Sequence, residues 1–139
     1  MHMKKIHSSL ISVYYEDTDS TGFVYHTNYI KFAERARSNL VRDQFPDVQK
    51  LFNANDFFFV VNQLNTNFLK PASLGDNLRI ETFFLENSFC SIKLRQIIFV
   101  REMLITEIDV KLVWINGNTK KPSKIPENII ARFNSLEVV

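Results

Sequence analysis

Asp17 and Asp19 stand two residues apart in the stretch YYEDTDSTGFVYHTNYIKFAERARSNL, Tyr14 to Leu40, with Gly22 and His26 following. A carboxylate so placed has two chemical uses. With an ordinary pKa of about 3.9 it is ionised at neutral pH, and can attack a carbonyl carbon or take a proton from water. It can also simply hold a turn, because Asp ahead of a glycine and a helix is common Asx-turn and capping chemistry. From residue types alone, turn chemistry is the simpler account of both aspartates. Acyl chemistry also needs a group that holds charge on a carbonyl oxygen. The free N–H groups and positive dipole end of a helix beginning near His26 to Asn28 would supply it. Gly22 would let the backbone turn sharply and approach a ligand. His26 is either a group that orients a water or Asp19, or a surface or capping residue.

These residues must be positioned by the elements around them. Leu10 to Tyr15 reads as a strand, and Ser20, Thr21 and Gly22 as a turn. From Asn28 the pattern turns helical, with Tyr29, Phe32, Ala33, Ala36, Leu40 and Val41 on one face. Thr27 or Asn28 is a candidate cap and Pro46 the stop. Glu34 and Arg37 are three apart on that helix, which predicts a solvated ion pair. DVQKLFNAN reads as a short helix or loop, four long strands follow, and PENIIARF closes the chain as a short helix. Alternation is plain in Ile92, Leu94 and Gln96, and again in Ile108, Val110, Leu112 and Trp114. One amphipathic helix and a long-stranded antiparallel sheet give an α+β architecture with the helix on the sheet. The open sheet leaves an edge across which two copies could pair.

A chain of 139 residues suggests one domain, 1–139. A formal charge of +2 gives no reason to expect nucleic acid. The single cysteine, Cys90, excludes an intrachain disulfide and a cysteine-based zinc site, and no metal is expected. No signal-peptide core and no run long enough to span a bilayer is visible, so a cytoplasmic setting is the expectation.

The Tyr14 to Arg37 segment resembles the signature of the 4-hydroxybenzoyl-CoA thioesterase family of hotdog-fold proteins. Within it, the resemblance is to the bacterial acyl-CoA thioesterases encoded beside the Tol-Pal system, the YbgC-like group. It is carried by the EDTD cluster, Gly22, the V-Y-H-x-N-Y segment through Tyr25, His26 and Asn28, and F-x-E-x-A-R through Glu34. KPASLGD and NGNTKKPSKIP resemble that family's turn and its C-terminal segment. The resemblance implies a hotdog fold, acyl-CoA thioester hydrolysis with no cofactor beyond the coenzyme A of the substrate, and a homodimer or homotetramer with its site at the subunit interface. It places the catalytic carboxylate at Asp19 and the polarising N–H at His26, with Asp17 structural. Glu34 is a second-rank acid, because some hotdog thioesterases carry theirs on this helix, and Tyr25 and Asn28 are second-rank site residues. Lys70, Arg101, Lys120, Lys121 and Lys124 are candidates for the coenzyme A phosphates, against a reading as solvated loop charges. Phe57, Phe58, Phe59 and Phe89 are candidates for an acyl pocket or simply core. Ser20, Thr21 and Thr27 depart from the group's usual small residues, and Thr21 adds bulk beside Asp19. The alternative from another class is a non-catalytic dimer that binds acyl-CoA or an acyl carrier protein; a hotdog dehydratase fits the Asp19 to His26 spacing less well.

Overall fold

The computed structural model describes residues 3–138. The elements are β1 (Lys4–Ser12), a 3₁₀ turn (Tyr15–Asp17), α1 (His26–Gln44), α2 (Pro46–Asn53), β2 (Phe57–Phe68), β3 (Asn77–Asn87), β4 (Ser91–Val100), β5 (Met103–Asn116) and α3 (Glu127–Ser135). The five strands form one sheet in the order β1-β3-β4-β5-β2, antiparallel at every pairing. Each ladder carries one register shift, and such bulges bend strands, so the sheet curves. Its inner face takes the apolar alternation of β4 and β5, while Lys93, Arg95, Asp109 and Lys111 turn outward. Helix α1 buries Tyr29, Phe32, Ala33, Ala36 and Leu40. This is the α+β hotdog arrangement, a long helix wrapped by a curved antiparallel sheet. No helix among the described residues is long and apolar enough to cross a membrane.

Local expectations are corrected in three places. The first strand runs over Lys4–Ser12 rather than Leu10–Tyr15. Its register with β3 starts at Lys4↔Phe84 and ends at Ser12↔Asn77, so the sheet edge recruits a basic segment with little strand signal of its own. Helix α1 begins at His26 rather than Asn28. It ends at Gln44, just before the expected stop at Pro46, which also opens α2, where its missing N–H costs no hydrogen bond. Arg37 does not pair with Glu34. Its Nη1 donates inward to Gln96 Oε1 at 2.8 Å.

That inward bond belongs to a polar belt across the core. Gln96 donates to the Ala33 carbonyl at 2.9 Å and to Thr82 Oγ1 at 3.2 Å. On β4 it lies between Leu94 and Ile98, and on β3 Thr82 lies between Ile80 and Phe84. The buried apolar residues accordingly form two clusters. One lies around Tyr29, Phe32, Ile98 and Ile108, beneath the Asp19 end; the other lies around Leu40, Phe45, Trp114 and Phe133.

Candidate active site

Asp19 sits at the tip of a narrow hairpin that connects β1 to α1. The Tyr25 N–H donates to the Asp17 carbonyl at 3.0 Å, Thr18 bridges Val24, and the Asp19 N–H donates to the Phe23 carbonyl at 3.0 Å. Gly22 closes the tip by donating to the Asp19 carbonyl at 3.1 Å. It does so at φ +84°, with open space where a Cβ would sit, so glycine is required by conformation and not by crowding. The KPASLGD loop braces the hairpin from outside. Val24 donates to the Ala72 carbonyl at 2.9 Å, Leu74 to the Gly22 carbonyl at 3.2 Å, and the Ala72 N–H to the buried Tyr29 hydroxyl at 2.9 Å.

The two aspartates differ completely. Asp17 is buried, and its Oδ2 accepts the Tyr14 N–H at 2.9 Å, closing the 3₁₀ turn. Its carbonyl also accepts the Asn28 side-chain amide at 2.9 Å, so Asp17 ties turn, hairpin and helix together. Asp19 is exposed, and its Oδ1 accepts both the Thr21 N–H, at 2.8 Å, and the Thr21 hydroxyl. Those two bonds, the hydroxyl's first, hold the Asp19 carboxyl below its ordinary range. Asp19 lies two residue pairs along the hairpin from Tyr25, about 7 Å at strand spacing.

Helix α1 starts without a cap. Its N-cap residue is Tyr25, and neither Thr27 nor Asn28 supplies a capping side chain, because Asn28 is turned to the Asp17 carbonyl. Among the described loop and cap bonds, the His26 and Thr27 N–H groups have no acceptor, while the Asn28 N–H bonds Tyr25 at 2.8 Å. An uncapped N-terminus is an open site for negative charge. The His26 ring lies 4.6 Å from that of Tyr25 and 6.0 Å from that of Phe68, at the end of β2. Phe68 also meets Tyr29 at 5.9 Å, so β2 brings an aromatic wall to the helix start that the sequence had not singled out. Phe23, Tyr25, Phe68, Leu69 and Leu74 form an exposed apolar rim at this end.

Other candidates fall elsewhere. Glu34 is exposed on α1, about 12 Å along the axis from His26. Lys70 follows β2 and Arg101 lies in the β4–β5 turn, both at the Asp19 end of the sheet. Lys120, Lys121 and Lys124 follow β5 at the opposite end, roughly 40 Å away along that strand. Lys120 covers the Phe58 ring at 5.8 Å, and Lys124 faces Glu127 at 3.7 Å. Phe57 and Phe59 pack on Trp114 in the distal core, while Phe89 is exposed there. A groove of about 440 Å³ lies on the outer sheet face between Gln63, Asn65, Lys93, Arg95, Asp109 and Lys111. It contains no helix end, whereas the Asp19 loop places a carboxylate near free N–H groups, and that chemistry outweighs groove size.

The family model described as Thioesterase-like superfamily matches residues 13–133. An acyl-CoA thioester hydrolase YbgC of Escherichia coli is 36% identical over 124 residues, covering 88% of this chain and 92% of that protein. An acyl-CoA thioesterase YbgC of Helicobacter pylori is 35% identical over 133 residues, covering 89% and 97%. Among solved structures, a probable thioesterase from Bartonella henselae is 31% identical with a TM-score of 0.78, covering 86% of this chain and 98% of that one. A 1,4-dihydroxy-2-naphthoyl-CoA thioesterase from Synechocystis is 20% identical with a TM-score of 0.84, covering 94% and 96%, a likeness of fold.

Proposed function

The chain belongs to the thioesterase-like superfamily, and from that premise we propose that it hydrolyses acyl-CoA thioesters with Asp19 as the acting carboxylate. The observation that carries the reading is an exposed, ionised carboxylate about 7 Å along one hairpin from an uncapped helix N-terminus. The thioester carbonyl oxygen accepts the His26 N–H and is polarised by the dipole of α1. In one route Asp19 attacks the carbonyl carbon, the C–S bond breaks, coenzyme A leaves as its thiolate, and water cleaves the mixed anhydride. In the other, Asp19 takes a proton from water, which attacks directly. Both routes give free acid and coenzyme A, and both spend an ionised Asp19.

The site is completed by a second copy. Strand β2 is a sheet edge with Val60 and Val61 exposed on it. Antiparallel pairing of two such edges sets the Phe57 end of one copy beside the Phe68 end of the other. Lys120 and Lys121 of the second copy then approach the His26 end, where Lys70 and Arg101 already lie, as the grip on coenzyme A phosphates. The proposed setting is cytoplasmic, with an acyl carrier protein as a further acyl donor and with gene context beside Tol-Pal.

The test follows thiol release from short, long and aromatic acyl-CoAs by wild type and Asp19→Asn. The expected result is turnover that falls at least roughly 1000-fold in the variant, with folding and acyl-CoA binding retained. Binding without thiol release by wild type on every substrate would overturn the enzyme reading in favour of an acyl-CoA-binding dimer.

A further inference from the structure

We infer that Thr21 is a positioning residue that makes the two oxygens of Asp19 unequal, reserving Oδ2 for the thioester. The inference rests on the reading of Asp19 as the acting carboxylate and adds a residue to it. The hairpin needs only the Asp19 carbonyl, which accepts from Gly22, and the Asp19 N–H, which donates to Phe23. The side chain is not required for that closure. Yet its Oδ1 takes two donors from one residue, the Thr21 N–H at 2.8 Å and the Thr21 hydroxyl.

The hydroxyl has little freedom to do otherwise. A threonine hydroxyl carries one proton and two acceptor sites. The Phe23 N–H donates to the Thr21 oxygen at 3.3 Å, which fills an acceptor site and leaves the proton for Asp19. Branching at Cβ restricts χ1, so the hydroxyl is held in place even on an exposed loop. Oδ2 has no donor among the described residues, and the residue is exposed, so its lone pairs are left for a ligand. The elements around Asp19 carry the titratable groups Glu16 and Asp17 on the preceding turn, Tyr25 and His26 at the helix start, and Lys70 and Asp76 on the bracing loop. None is hydrogen-bonded or ion-paired to the Asp19 side chain among the described residues. The lowered Asp19 carboxyl has the Thr21 hydroxyl as its first cause, in agreement with the geometry. Pre-setting one oxygen removes rotational freedom that a carboxylate on a loop tip would otherwise lose at the moment of reaction. The bulk that Thr21 adds beside Asp19 is therefore the carrier of a hydrogen bond.

The experiment compares Thr21→Val, which keeps the bulk and removes the hydroxyl, with Thr21→Ser, Thr21→Ala and Asp19→Asn. The readouts are kcat, KM and the acid limb of kcat/KM against pH. Loss of the hydroxyl is expected to lower kcat roughly tenfold with KM little changed. It also moves the acid limb to higher pH, because the bond that favours the ionised form is gone. Thr21→Ser should restore both, and Thr21→Ala should behave as Thr21→Val. If Thr21→Val keeps the wild-type kcat and acid limb while Asp19→Asn is inactive, the role of Thr21 is overturned and that of Asp19 stands. If Asp19→Asn turns over as wild type does, the reading beneath the inference fails, and the inference with it.

Discussion

The two ends of this sheet are finished to different degrees. At the distal end, Phe57 stacks on Trp114 at 5.6 Å and Phe133 sits between Phe45, at 4.5 Å, and Phe84, at 5.4 Å. Helices α2 and α3 seal that core and are joined by the Arg132–Asp47 ion pair at 2.7 Å. At the Asp19 end, α1 buries the core beneath but leaves a rim of apolar side chains in solvent. Phe68 is 47% exposed, Leu69 54% and Leu74 50%, around a carboxylate and an uncapped helix. Exposed apolar patches on folded chains are where ligands or partner chains dock. The difference teaches that the chain finishes its distal core by itself and leaves the proposed site with an open apolar rim.

The sharpest way to break this comparison is to charge the β2 edge. An edge strand of 12 residues with exposed Val60 and Val61 lacks the lysines or prolines that keep edges unpaired. On the proposed pairing, Val61→Lys should leave a folded single copy by sedimentation, with turnover reduced roughly 100-fold as the second copy's residues no longer reach the site. An assembly and activity equal to wild type would show that the Asp19 end is complete without a partner across β2.

Next in size is a cavity in the sealed end. Phe133 is 3% exposed between two aromatic rings, and Phe133→Ala should cost about 3–5 kcal/mol in denaturant unfolding. The polar belt of Arg37, Gln96 and Thr82 separates that cluster from the one under Asp19, so kcat per folded molecule should stay within about twofold. A loss of kcat as large as the loss of stability would mean that the two ends are coupled through α1.

Much of this contrast was legible in the sequence, for identifiable reasons. The helical stripe from Tyr29 to Leu40 and the alternation of β4 and β5 are local periodicities, and they gave the layers directly. The Asp19 loop stood out because its polar cluster and glycine interrupt an apolar run. Strand β1 departs from the span its residues suggest because Lys4 and Lys5 are recruited by pairing with β3, which is a non-local cause. The inward turn of Arg37 was hidden for the same reason, since its partner Gln96 lies on a strand far along the chain. Thr21 was visible as an added bulk and invisible as a donor, because only the hairpin geometry directs its proton to Asp19.

The smallest effect tests whether lowered carboxylates at the two kinds of site do different work. Asp43, near the end of α1, receives a hydrogen bond at 3.0 Å from the buried His7 of β1. That bond is the first cause holding the Asp43 carboxyl below its ordinary range, with the charges of His7 and Arg42 adding to it. A carboxyl lowered on folding contributes stability that is fully present above its unfolded pKa of about 3.9 and is lost as pH falls through the folded value. Asp43 is half exposed, so solvent screening keeps the contribution below about 1 kcal/mol. Asp43→Asn should therefore unfold slightly more easily than wild type at pH 7, with the gap closing in acid below the ordinary carboxylate range, while kcat is unchanged. Asp19 is lowered too, by the Thr21 of its own exposed loop, so Asp19→Asn should remove turnover while shifting the unfolding curve no more than Asp43→Asn does. An Asp43→Asn gap that persists unchanged in acid would assign the His7 contact to packing rather than charge. A large shift in the unfolding of Asp19→Asn would return Asp19 to the turn chemistry that its residue type alone suggests.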